Sequence, residues 1–400
     1  MPLQAKRVVL WFLPAILVLS VTACGPTLVA VHTPGPFRPA GNETLFVAFN
    51  VGQADCMLVL HRGKSLLVDA GVSRRKSARE AFRKVSRRIE ALVGERYVDY
   101  LLVTHYHSDH IGARKTSSKG EDSGLFGLLN DEGLKVGTLV DRGFQTYGKK
   151  GFTQRAYEVE VPAWMENGIV KEHRVVKAGD TIDLGTGMRV DVVVANTNGR
   201  LLEVRARDPA AFEEFPPSEN DYSIGLKFTQ GDFELFSAGD LSGYTLRTER
   251  GASKQAYNDI ESVVAERIGD VEVYRVNHHG SDHSTNPCFV RVLDPEVSIF
   301  STGENSYGHP APRVWDELRG RGEVFVTGGA DKRVVTSVRN RILFADVEVL
   351  VDDDGHRYWV NGLVHRSKSE DEERNRKDFL DRCIPDRPDA RDPPDDLDED

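Results

Sequence analysis

Thr104-His105-Tyr106-His107-Ser108-Asp109-His110-Ile111-Gly112 places four ligand-type side chains, His105, His107, Asp109 and His110, within six residues. The run follows Val98 to Val103, an apolar stretch that reads as a buried strand. A lone histidine at a strand end is usually a satisfied core or surface residue; four ligands at this density are not explained that way. Imidazole nitrogen and carboxylate oxygen suit zinc, manganese or iron better than calcium or magnesium. In extended backbone, positions i and i+2 share a side, so His105 and His107 face together. Asp109 and His110 follow a turn and can face a second ion.

Such a cluster needs distant partners, and two segments supply them. Phe236-Ser237-Ala238-Gly239-Asp240 ends an apolar strand in a carboxylate able to bridge two ions. Val271 to Val276 is another apolar strand, running into Asn277-His278-His279-Gly280-Ser281.

The order His-x-His-x-Asp-His, Gly-Asp, His-His-Gly-Ser resembles the metallo-β-lactamase-fold hydrolases, and within them the hydrolase domain of ComEC-type DNA-uptake proteins. Val51-Gly52-Gln53-Ala54-Asp55, Leu66 to Gly71, Asn220-Asp221-Tyr222-Ser223 and Tyr307-Gly308-His309-Pro310 are similar to further motifs of that branch, with Ala54 in place of a glycine. The resemblance runs over residues 44 to 362. It implies an α+β fold, the αββα four-layer sandwich, and two divalent transition-metal ions, Zn or Mn. His105 and His107 would hold one ion. Asp109, His110 and one of His278 and His279 would hold the other, with Asp240 bridging and the remaining histidine of the pair facing substrate. Many relatives supply another histidine to the first ion where this chain has Asn220, which leaves that site poorer in ligands. Asp69 is expected to orient a metal-bound histidine or to serve only as a turn residue before Gly71. Asn220 and Ser223 are expected beside the ligands or the substrate. Asp109 and His309 are the expected catalytic residues, His309 contacting a phosphate or protonating a leaving oxygen.

The chain ends read differently. Lys6 and Arg7 precede the apolar run Val8 to Ala23, which is short for a membrane span and broken by Pro14. Val21-Thr22-Ala23-Cys24 has the form of a bacterial lipobox, against the competing readings of a plain signal peptide or an anchor helix. Residues 1–23 are therefore expected to be a lipoprotein signal peptide, with Cys24 lipidated. A Pro/Gly-rich tether covers 24–43, the hydrolase domain 44–365 and a disordered acidic tail 366–400. No other stretch is long and apolar enough to span a bilayer, so the multi-helix channel of ComEC proteins is not expected here. Cys56, Cys288 and Cys383 show no CxxC spacing; a Cys56–Cys288 bridge stays open.

Strands are expected at 45–49, 56–61, 65–69, 98–103, 188–195, 222–228, 233–238, 271–276 and 297–301. Helices are expected at 73–92, 246–268 and 313–319, and a closing hairpin at 344–361. Residues 114–124 and 196–219 look like insertions that rim the site. The basic residues between Arg74 and Arg88 read as a solvated helix face, with phosphate contact as the minority reading. Formal net charge is −10, so no global basic field gathers nucleic acid.

The expected function is a metal-dependent phosphodiesterase of the bacterial cell envelope. Its substrate would be a nucleic acid or a phospho-headgroup ester, and its membrane contact would be the Cys24 lipid. Carboxylic ester or lactam hydrolysis is the alternative chemistry. It is disfavoured because β-lactamases of this fold often place a non-carboxylate where Asp240 stands. A non-catalytic binding lipoprotein is the remaining alternative.

Overall fold

Alternating apolar side chains make two sheets with three apolar layers between and outside them. The computed structural model describes residues 39–72, 78–115, 122–146, 149–195, 217–243, 259–329 and 345–368. Its elements run β1 (Thr44–Ala48), β2 (Met57–His61), β3 (Lys64–Val68), α1 (Ala78–Val93), β4 (Tyr97–Leu102), α2 (Ser108–Ile111), α3 (Leu125–Asn130), β5 (Lys135–Asp141), α4 (Phe152–Glu166), β6 (Val170–Val175) and β7 (Arg189–Val194). They continue with β8 (Gly225–Gln230), β9 (Phe233–Ser237), α5 (Ile260–Ile268), β10 (Val273–Arg275), α6 (Pro287–Leu293), β11 (Val297–Phe300), α7 (Pro312–Arg319), β12 (Glu323–Val326), β13 (Val347–Val351), β14 (Arg357–Val360) and β15 (Leu363–Arg366).

Among these residues a nine-stranded sheet has the order β15-β14-β13-β1-β2-β3-β4-β5-β6, and a six-stranded sheet the order β12-β11-β10-β9-β8-β7. In β1, Leu45 and Val47 join the core shared with α1, α3 and α4. Phe46 and Ala48, one residue out of phase, join the layer between the sheets. β9 and β10 divide the same way: Leu235 and Val273 face the first sheet, while Phe236 and Tyr274 face α5, α6 and α7. The period of two thus builds the expected αββα sandwich.

β3 to β6 are parallel, as are β9 to β12. Parallel strands end on the same edge of a sheet, and ligands gather there. The loops after β3, β4, β5, β9, β10 and β11 carry the chemically interesting residues.

Several expectations shift. The strand placed at 222–228 starts at Gly225, because the Asp221 carboxylate accepts the Ser218 N–H at 2.7 Å and closes a 3-10 turn over Glu219–Tyr222. The closing hairpin gains a third strand, β15, which reaches Arg366. Lys368 then anchors to the second half, its ammonium 3.0 Å from Asp270 and 2.7 Å from the Asp294 carbonyl. β15 and Lys368 thus continue beyond residue 365, where the hydrolase domain was expected to end. α5 matches the last part of the helix expected at 246–268, whose positions 246–258 lie outside the described residues. β5, β6, β12, α3 and α4 had no counterpart in the sequence reading.

Cys56 is a free thiol buried in the helix-side core, so no bridge joins it to Cys288. On α1, Arg83, Lys84 and Arg88 pair with Glu132, Asp346 and Glu348; part of the basic stretch thus fastens the helix to its neighbours. Arg74 to Lys76 lie outside the described residues. So do the signal segment 1–23 with Cys24, most of the tether, most of both insertions, Cys383 and the tail from 369. No helix among the described residues is long and apolar enough to cross a membrane.

Candidate metal centre

Two glycines let the loops of the site pack closely, one of them, Gly239, where the halves of the molecule meet. A Cβ on Gly239, whose φ is +52°, would lie 2.5 Å from Thr104 Oγ1. A Cβ on Gly71 would overlap the Asp109 carbonyl. Glycine at both places lets the Gly-Asp loop after β9 and the turn after β3 press against the His-rich loop after β4.

Four side chains converge behind that contact. His110 Nε2 lies 2.9 Å from Asp240 Oδ1; His279 Nε2 lies 3.4 Å from Asp109 Oδ2 and 3.6 Å from Asp240 Oδ1. Donors bound tetrahedrally to one ion at about 2.0–2.2 Å stand roughly 3.3–3.6 Å apart. The two His279 distances fall in this range, and the His110–Asp240 pair stands closer. His110 Nε2, Asp240 Oδ1 and His279 Nε2 are also buried without a hydrogen-bond partner of acceptable geometry, a cost that a shared cation removes. His105, His107 and Asp240 form a second group, with His105 Nε2 3.2 Å from His107 Nδ1 and 3.8 Å from Asp240 Oδ2. Asp240 therefore offers one oxygen to each group.

His278 and His279 both hold left-handed backbone, φ 51° and 54°. For side chains with a Cβ this conformation is uncommon and costs energy, and such residues cluster at functional sites. It sends the rings apart. His279 turns inward and joins the quartet; His278 stays at the mouth, its Nε2 3.2 Å from Asn220 Nδ2 and 3.5 Å from Asp240 Oδ2. The choice between the two histidines thus falls on His279 for the four-residue group.

The other nitrogens of these rings are held from behind. Asp69, fully buried, takes the His110 Nδ1 proton at 2.8 Å, and the Ser301 carbonyl takes that of His279 at 2.8 Å. Such partners fix the tautomer and leave Nε2 as the free donor atom. Thr104 Oγ1 and Ser223 Oγ lie 3.2 and 3.4 Å from His105 Nδ1. Beneath, Asp55 pairs with Arg275 at 2.9 Å, both buried.

Electrostatics mark the cluster as cation-seeking. Burial opposes charge on His279, but Asp240 and Asp109 outweigh it and hold the imidazole up to about 9. His110 is held high against burial by Asp240 and Asp69. Burial would raise Asp109 and Asp240, yet the histidines around them keep both carboxylates low. Burial lowers His105, helped by the charge of His110. Protons on His110 and His279 occupy the positions a divalent ion would take.

His309 lies across the cleft. Its ring stacks 6.2 Å from that of His279, and its Nδ1 is 3.3 Å from Gln53 Nε2. Burial, then His278 and His279, pull its imidazole down to about 3. Asn305 shapes the turn: its Oδ1 accepts the N–H groups of Tyr307, Gly308 and His309, and its Nδ2 donates to the His309 carbonyl. The cleft holds a cavity of about 770 Å³, lined by Asp109, Asp240, His278 and His309 together with Thr146, Lys149 and Thr153.

Every residue expected at the site lies in or directly behind this cluster except Cys24, which is outside the described residues. The sequence reading missed Thr104, Gln53, Arg275 and Arg142. The signal was present for the last two: an arginine inside the apolar strand Val273–Val276, and another directly after Val136–Asp141.

The sequence from 49 to 115, which carries the His-rich loop, matches the model for the metallo-beta-lactamase superfamily. Two curated proteins extend the likeness beyond it. ComE operon protein 3 of Bacillus subtilis is 27% identical over 68% of this chain and 30% of its own length. Competence protein ComA of Neisseria gonorrhoeae is 22% identical over 72% of this chain and 31% of its own. The chain resembles the metallo-β-lactamase superfamily and, within it, the ComEC-like branch. It spans less than a third of the length of these two curated relatives. Among solved structures, the metallo-beta-lactamase fold protein YhfI from Bacillus subtilis aligns with a TM-score of 0.41 at 9% identity, over 72% of this chain and 98% of its own.

Proposed function

We propose that this protein is a metal-dependent phosphodiesterase of the metallo-β-lactamase superfamily, acting at the cell envelope with two divalent ions, Zn or Mn. The carrying observation is Asp240, whose two oxygens face two separate ligand groups. Asp109, His110, Asp240 and His279 would hold one ion; His105, His107 and Asp240 would hold the other. When bound, such a pair lowers the pKa of water and stabilises negative charge on a phosphoryl oxygen.

The chain's own residues supply the rest. Asp69 and the Ser301 carbonyl keep His110 and His279 in the ligating tautomer. His278 and Asn220 stand at the mouth, where they can bond the substrate. His309 is neutral in this setting, so its first use is as a hydrogen-bond partner of a phosphoryl or leaving oxygen. An anionic substrate beside it would raise its proton affinity and let it deliver a proton.

The carboxylate at 240 favours phosphodiester over lactam chemistry. The names of the competence relatives support a nucleic acid as the diester; the acidic net charge gives no preference for it over a phospho-headgroup ester. Export and anchoring through lipid on Cys24 are a separate part of the proposal, read out by mass spectrometry of the mature N-terminus. For the chemistry, purified protein should hold close to two equivalents of Zn or Mn and cleave bis(4-nitrophenyl) phosphate but not a chromogenic β-lactam. Protein that takes up no transition metal after reconstitution would overturn the reading.

A further inference from the structure

Arg142 directly follows the last residue of β5 and is completely buried. Its guanidinium lies between the rings of Tyr106 and Tyr222, 4.4 and 4.5 Å from their centroids. Nη2 donates to both oxygens of Glu219, at 2.8 and 2.9 Å, and to Thr146 Oγ1 at 3.0 Å. Nη1 donates to the Gln145 carbonyl at 2.6 Å. Glu219 Oε1 also accepts the Tyr106 backbone N–H at 2.9 Å.

The partners are what make this pair informative. Tyr106 stands between His105 and His107. Glu219 precedes Asn220, which touches His278. Thr146 lines the cleft. Arg142 comes from the first sheet, whereas Glu219 and Tyr222 lead into β8 of the second. One guanidinium therefore ties three segments that must keep register if ligands from two sheets are to meet.

Stability alone is a poor reason to bury this charge pair. The cost of removing both ions from water commonly matches or exceeds their attraction, and apolar replacements are often neutral. A planar guanidinium stacked between two rings, with Nη2 held by Glu219 and Thr146 and Nη1 by the Gln145 carbonyl, instead fixes orientation, which a compact ammonium cannot reproduce. Of the two ligand groups, His105–His107–Asp240 has three members, and His107 is exposed. It is the group that depends most on its surroundings for geometry.

Building on the metal reading above, we propose that Arg142 is a positioning residue that acts through Glu219 to set the His105–His107 side of the cluster against Asn220 and the Thr146 segment. The test uses full-length wild type, Arg142→Lys and Glu219→Gln. Zn²⁺ alone is titrated calorimetrically into metal-stripped protein, with thermal melting and kcat and KM on bis(4-nitrophenyl) phosphate measured in parallel. Wild type should show a tight and a weaker binding event. Both variants should keep the tight event, weaken the other at least tenfold, and lose kcat by at least tenfold with KM changed less than threefold. Folded variants with both zinc affinities and kcat at wild-type values, whatever their melting shift, would overturn the proposal. So would failure of both variants to fold, which would make Arg142 a folding residue. Wild type binding fewer than two ions would instead remove the binuclear reading, and this inference with it.

Discussion

Replacing Asp69 by Asn changes a few atoms behind the metal centre and should reverse a tautomer in it. Asp69 Oδ1 accepts the Thr104 N–H at 2.8 Å, and Oδ2 accepts both the Thr104 hydroxyl at 2.7 Å and His110 Nδ1 at 2.8 Å. An asparagine has one acceptor for these three donors. If its oxygen keeps the backbone N–H, its amide nitrogen sits where Oδ2 was and points a proton at His110 Nδ1. That nitrogen must then accept, so the ring proton moves to Nε2, the atom 2.9 Å from Asp240 that should face the ion. Loss of such an orienting partner typically costs 10–100-fold in metal affinity, or about 1.4–2.8 kcal/mol. Folding should suffer less, because the same change removes a buried carboxylate whose desolvation already raises its pKa. Asp69→Ala, leaving three buried donors unmatched, should lose more stability, roughly 1–3 kcal/mol per donor. Competition with a chromogenic chelator gives the zinc affinity, and urea unfolding gives the stability. Asp69→Asn binding zinc within twofold of wild type would refute the tautomer argument and return Asp69 to the role of a turn residue.

Asp109→Ala should lose the ion of the four-residue group and activity together, seen as one equivalent less zinc by elemental analysis. His309→Ala should keep its zinc and lose turnover, on the order of 10²–10⁴-fold on an alkyl phosphodiester if it delivers a proton. The loss should be smaller on a nitrophenyl ester, whose leaving group needs no proton; equal losses would mean it only binds the phosphate. Glu261 sets a pH dependence away from the metal: burial outweighs the hydrogen bonds from Asn286, Asn277 and Thr285 and holds its carboxyl up to about 7. Because the folded pKa is raised, this contribution is full below the usual value near 4.5 and is lost as pH rises through about 7, a drop of about 3 kcal/mol. Urea unfolding of the metal-loaded protein at pH 5 and pH 8 should show Glu261→Gln losing less stability across that interval than wild type; identical losses would refute it.

The legible parts of the chain were those whose physics is local. Leu45–Ala48, Leu58–Leu60 and Leu66–Val68 are apolar at every position because both faces of a central strand in a four-layer fold are covered, and each was read as a strand. β5 and β6 were not. Lys135-Val-Gly-Thr-Leu-Val-Asp141 mixes polar and apolar residues without clean alternation, and Val170-Lys-Glu-His-Arg-Val175 is an edge strand with exposed charges. Their strand character comes from parallel pairing, of β5 with β4 and of β6 with β5, a non-local term that no window of sequence contains. Pro162 inside α4 argued against a helix that tertiary packing of Tyr157, Val161 and Trp164 nevertheless holds.

The same division runs through the site. His105, His107, Asp109, His110 and Asp240 were readable because ligand chemistry is rare enough to stand out at strand ends. The choice of His279 over His278 was not, since it depends on two left-handed residues that splay the rings in opposite directions. Arg275 and Arg142 were overlooked for a related reason. A buried guanidinium has meaning only through the carboxylate that meets it, and Asp55 and Glu219 arrive from 220 and 77 positions away. The ligands identify the chemistry the centre can perform. The two arginines, invisible as a motif, tie together the segments on which those ligands are mounted, and that is where substitutions remote from any ligand should change metal affinity without changing the fold.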